Sequence, residues 1–133
     1  MDKKIYKIIV CGGRHFEDYE LLKSILDKHL EDNGIALTDV EIVSGHCQGA
    51  DMLGERYAKE NGCALKVFPA EWKNYGKAAG PIRNKQMVEY ISAAKKKLVV
   101  AFVSPKSKGT CHTVSLARKI NIPVIEHFYD SDV

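Results

Sequence analysis

Five short β-rich runs, each followed by a stretch of helical periodicity or by the chain end, constrain this sequence most. Lys4 to Cys11 (KIYKIIVC) stops at Gly12-Gly13, and Val40 to Ser44 (VEIVS) follows. Ala64 to Phe68 (ALKVF), Leu98 to Val103 (LVVAFV) and Pro123 to His127 (PVIEH) complete the set. Between them the apolar residues recur at helical spacing. After Asp18, a capping residue, come Leu22, Ile25, Leu26, His29 and Leu30, at i, i+3, i+4, i+7 and i+8. A second helix is expected over Gly49 to Asn61. A third runs from near Pro81 to about Ala94, with Asn84, Met87, Val88 and Ile91 on one face. A fourth is capped by Thr110 and runs to about Ile120.

Strands alternating with helices of 10–15 residues predict a parallel sheet covered on both faces. Right-handed crossovers prune the topologies. The expectation is an α/β, three-layer Rossmann-like fold with five parallel strands in the order 3-2-1-4-5. A flavodoxin-like order, 2-1-3-4-5, is the alternative. The 133 residues fit a single domain, 1–133, able to bury one core without staples. At 45% hydrophobic and 28% charged, the composition is that of a globular chain. No apolar run approaches a membrane span or the core of a signal peptide. Four cysteines without CxxC spacing read as reduced thiols in a cytoplasmic protein.

The unusual residues gather after the strands. CGGRHF (11–16), SGHCQGAD (44–51), PAEWKNYGKAAGPIRN (69–84) and SPKSKGT (104–110) follow strands one to four. Seven of the ten glycines lie there: Gly12, Gly13, Gly45, Gly49, Gly76, Gly80 and Gly109. The opposite connections, such as Asn33-Gly34 and Asn61-Gly62, are plain. Ligands of open α/β sheets bind at the carboxyl ends of the strands, where the strand order reverses. Each of these loops also feeds a helix N-terminus, whose free N–H groups suit phosphate.

Arg14, Arg83, Lys106 and Lys108 supply cations at that edge, and Ser44, Ser107 and Thr110 supply hydroxyls. Arg83 is expected in the first turn of the third helix, where the dipole disfavours a cation by about 0.3–1 kcal/mol. It can meet an anion there, or pair with Glu71 or Asp51. Asp51 opens the second helix, as a helix-start carboxylate, a ribose acceptor or a general acid/base. Trp72 and Tyr75 can stack on a base; anchoring their sixteen-residue loop by an apolar foot is the preferred reading. His15, His46, Cys47, Cys111 and His112 share the edge, but adjacent residues rarely reach one metal, so no metal is expected. GGRHFE is not GxGxxG, and SPKSKGT is not GxxxxGK[ST], which argues against a conventional dinucleotide enzyme or P-loop NTPase. No cofactor is expected. A net charge of +3 permits an anionic ligand and argues against a nucleic-acid partner.

The ordered series CGGRHFEDY, VSGHCQGAD, PAEWKNYGKAAGPIRNKQM and SKGTCHT resembles the small YspA-type branch of the SLOG superfamily, over about residues 5 to 125. That superfamily includes the LOG phosphoribohydrolases and the DNA-processing protein DprA (Smf). The resemblance implies a crevice for a nucleotide or nucleotide-derived ligand, in a sensor or partner module. LOG enzymes carry PGGxGTxxE, whose glutamate acts on the N-glycosidic bond. Here Gly109 and Thr110 match, while Lys106 and Ser107 replace the first two glycines and Thr113 stands at the glutamate position. The binding loop is kept and that catalytic carboxylate is not, so Asp51 and Glu71 are the catalytic candidates for a LOG-like hydrolase or transferase. DprA-like binding of single strands is the further alternative, and self-association is left open. The expected ligand-binding set is Gly12, Gly13, Arg14, Ser44, Gly45, Gly49, Asp51, Gly80, Arg83, Asn84, Ser107, Lys108, Gly109 and Thr110.

Overall fold

The computed structural model describes residues 6–105 and 108–129, with the backbone alone at 108, 109 and 111. Five parallel strands form one sheet: β1 (Tyr6–Gly12), β2 (Val40–Ser44), β3 (Ala64–Val67), β4 (Lys96–Val103) and β5 (Val124–Phe128). Their order is β3-β2-β1-β4-β5, as the alternation of elements predicts. The helices are α1 (Tyr19–Asp32), α2 (Ala50–Asn61), α3 (Trp72–Tyr75), α4 (Ala79–Ser92) and α5 (Lys108–Lys119). Among the described residues, no helix is long and apolar enough to cross a membrane.

The central strands are continuously apolar over residues 8–11 and 98–103, because both of their faces are covered there. Ile8 and Val10 of β1, with Leu98, Val100 and Phe102 of β4, face α1 and α2. They pack with Leu22, Leu26, Leu30, Tyr57 and Ala58. Ile9 and Cys11, with Val99, Ala101 and Val103, face the other way. They meet Met87, Val88 and Ile91 of α4 and Val114 and Ala117 of α5. Strands β3 and β5 are edges and only partly buried.

Asp18 caps α1, its carboxylate accepting from Leu21 N at 3.1 Å. Two helix starts differ from expectation. Helix α4 begins at Ala79, so Pro81 is its third residue and Arg83 stands in the second turn. Proline fits either position, because the first four N–H groups of a helix have no intrahelical acceptor. Helix α5 begins at Lys108, so Thr110 lies inside the first turn and is not the cap.

Loops at the carboxyl edge are tied to the body. Phe16 stacks on Phe102, ring centroids 4.4 Å apart, and meets Tyr129 edge-on at 5.0 Å. Gly13 N donates to Phe102 O, and Gly13 O accepts from Phe16 N and Ala50 N. The β1 loop is thereby fixed to β4 and to the start of α2. Gly49 makes this approach possible: its φ is +87°, and a Cβ there would lie 2.1 Å from Gly13 O.

Candidate functional site

The first half of the chain puts its helices on one face of the sheet and the second half on the other, so the order switches between β1 and β4. A crevice of about 480 Å³ opens there, at the carboxyl ends of the strands. Gly12, Gly13, Arg14 and His15 form its β1 side, and Cys47 and Asp51 come from the β2 connection. Gly80, Pro81, Arg83, Asn84 and Met87 present the start of α4. Ser104, Thr110, His112 and Thr113 close the β4–α5 side, and Trp72 and Tyr129 complete the wall.

Asp51 is the second residue of α2 and is 5% exposed. Its carboxylate accepts from Cys47 N at 3.4 Å, and the nearby backbone N–H groups of Gly12 and Gly45 also favour its charged form. Burial pushes the carboxyl up to about 6; the Arg83 charge and the three N–H groups oppose that shift without cancelling it. A carboxyl poised near neutrality on a crevice wall can exchange a proton at physiological pH.

Arg83 is 8% exposed. Its Nη1 donates to Gly45 O, its Nε donates to Asn84 Oδ1 at 2.8 Å, and Cys47 Sγ lies 3.5 Å from Nη1. The expected first-turn conflict with the helix dipole therefore does not arise, since that effect fades beyond the first turn. Among the described residues, neither Asp51 nor Glu71 forms an ion pair with Arg83; the Gly45 carbonyl takes its place. Gly45 has no room for a side chain, as a Cβ would come within 2.9 Å of both Arg83 Nη1 and Asp51 Oδ2.

Other expected residues stand apart from the crevice. Ser44 is fully buried and donates to Glu55 Oε2 at 2.8 Å, while accepting from His46 N. Glu55 also bonds His46 Nδ1 at 2.8 Å, steadying His46 at a φ of +63°. Ser44, Gly45 and Gly49 thus shape the β2 loop from behind the wall. Glu71 is exposed and accepts from Asn74 Nδ2, away from the crevice. Of the two candidate carboxylates, Asp51 lines the crevice and Glu71 does not. Ser107 and Lys106 lie outside the described residues, and Lys108 and Gly109 contribute the backbone of the first turn of α5.

Trp72 and Tyr75 do not anchor their loop: they are 54% and 46% exposed. The loop is ordered by α3 itself, with Asn74 N and Tyr75 N both donating to Glu71 O. The Trp72 ring lies beside Gly80, 3.6 Å from where a Cβ would stand. Among the described residues, no three His, Cys, Asp or Glu side chains gather as a metal site.

Sequence reasoning missed Glu55, and it considered His112 only as a metal ligand. Glu55 had one signal, its place four residues after Asp51 on one helix face. Tyr129 had none. Its hydroxyl is buried on the crevice wall and has no hydrogen-bond partner among the described residues.

The profile of the YspA, cpYpsA-related SLOG family matches residues 6–75. Over 124 residues the chain is 30% identical to the Gene 61 protein of Mycobacterium phage D29, covering 90% of this chain and 94% of that one. The crystal structure of the C-terminal domain of a Pyrococcus furiosus hydrogenase superposes with a TM-score of 0.49 at 15% identity, covering 96% of this chain and 95% of that domain. With its profile match running from β1 to α3 and a relative similar over nearly its whole length, the chain belongs to the YspA, cpYpsA-related SLOG family.

Proposed function

We propose that the crevice binds a nucleotide or nucleotide-derived ligand, and that the protein acts as a sensor or partner module. Family membership points at a coarse level to nucleotide-related binding or modification. One observation carries the finer reading: a crevice at the strand-order switch gathers three helix N-termini, a glycine turn and two arginines. Its volume suits a small-molecule ligand. The first turn of α5, the Thr110 hydroxyl and the exposed Arg14 would receive the phosphate. Trp72, on the rim, would offer a face to the base. The Asp51 carboxylate accepts from Cys47 N and keeps acceptor capacity for a ribose hydroxyl. Calorimetric titration with a panel of nucleotides tests the reading. Saturable binding that Arg14→Ala weakens supports it, and no binding by any member of the panel refutes it.

The raised Asp51 carboxyl favours a second reading, hydrolysis or transfer at a nucleotide N-glycosidic bond. Thr113, buried on the wall at the position of the LOG glutamate, supplies no carboxylate. Asp51 would then be the acid. Free base released from nucleoside monophosphates, and lost in Asp51→Asn, supports it. Absence of release at high protein concentration excludes it.

A further inference from the structure

Two hydrogen bonds, one within α4 and one from α4 to α5, set the tautomer of His112 on the crevice wall. Arg83 Nε donates to Asn84 Oδ1 within the protein interior. A guanidinium has donors only, so the Asn84 amide must keep its oxygen toward Arg83; turned over, it would set donor against donor. The amide nitrogen is then directed at His112 Nδ1, 3.1 Å away. An amide NH2 only donates, so Nδ1 accepts, and a neutral imidazole that accepts at Nδ1 carries its proton on Nε2. His112 is half-buried on the crevice wall, beside Thr113 in α5.

We propose that Arg83 and Asn84 hold His112 as its Nε2–H tautomer, making it the donor that receives an oxygen of the ligand's phosphoribosyl group. The tautomer stands on the geometry alone, and the ligand half rests on the nucleotide reading above. The arrangement sets a preference: an acceptor oxygen opposite Nε2 is welcomed, and a donor there is rejected. Arg83 and Asn84 act through His112 and are positioning residues, whatever else they touch.

The test is a long-range ¹⁵N–¹H correlation spectrum of the imidazoles at pH 8, with His112→Gln removing one of five signals and so assigning it. Wild type should show the Nε2–H form. Asn84→Asp offers acceptors to both neighbours, keeping the Arg83 contact, and should turn His112 into the Nδ1–H form. Wild-type His112 as the Nδ1–H form or as an even mixture overturns the proposal, whatever the protein binds. The probes for the ligand half are AMP and ribose 5-phosphate. His112→Ala, which has no side-chain donor, should weaken both by about tenfold, as for one lost hydrogen bond. Equal affinity of His112→Ala and wild type overturns the ligand half and leaves the nucleotide reading intact. Failure of wild type to bind either probe overturns the ligand half, and only absence of binding by every nucleotide of the panel overturns that reading as well.

Discussion

Arg83 Nη1 donates to the carbonyl oxygen of Gly45 at 2.5 Å, joining α4 to the β2 loop across 38 positions of sequence. The arginine is thereby both a structural tie and the buried positive charge beside Asp51. Arg83→Ala should therefore destabilise the fold by about 2–3 kcal/mol, since Gly45 O and Asn84 Oδ1 lose a charged donor. Urea unfolding at neutral pH measures this. A loss under about 0.5 kcal/mol, the size of an ordinary surface substitution, would show that the tie does not matter.

Asp51 predicts a pH signature. Its carboxyl rises to about 6 from 3.8, so the folded protein holds that proton more tightly than the unfolded chain. The stability this contributes is complete below pH 3.8 and is lost as pH rises through about 6. In Asp51→Asn that dependence is gone. From pH 3.5 to 7.5, stability should shift by about 3 kcal/mol in favour of the variant relative to wild type. Parallel stability curves for the two proteins would contradict it.

Two glycines with positive φ separate crevice geometry from ordinary helix ending. Gly62 ends α2 at φ +74° with open space around it, so Gly62→Ala should cost about 1–2 kcal/mol of backbone strain. Gly49 combines φ +87° with a Cβ position 2.1 Å from Gly13 O. Gly49→Ala should cost about 3 kcal/mol or more, since the β1 loop must move away. Thermal unfolding of both variants gives the order, and equal costs would deny the close approach.

Trp72 is the chain's single tryptophan and stands on the crevice rim. Its emission should change on adding AMP and much less on adding ribose 5-phosphate, which lacks the base. Trp72→Ala should weaken AMP by about 1–3 kcal/mol, the range for one base on an aromatic face, with ribose 5-phosphate unaffected. Equal effects on the two probes would deny base stacking.

The architecture was legible because β1 and β4 are buried on both faces and so read as continuous apolar runs. The carboxyl edge was legible because its glycines and cations are spaced by whole βα units. Side-chain direction was not. Pro81 suits the first helical residue or the third equally well, so sequence could not place Arg83 in the second turn. Ser44 reads as a ligand hydroxyl until Glu55, eleven residues on, is seen to bond it. Trp72 reads as a loop anchor until α3 is seen to order the loop through hydrogen bonds to Glu71.

The central claim is that the crevice at the β1/β4 switch receives a nucleotide or nucleotide-derived ligand. Titration calorimetry of the intact protein with nucleoside mono- and diphosphates, wild type beside Arg14→Ala, tests it most directly. The account predicts one-site binding by at least one of these ligands, weakened about tenfold when the exposed arginine on the crevice wall is removed. No saturable binding by any nucleotide at millimolar concentration, or binding that Arg14→Ala leaves unchanged, would contradict it.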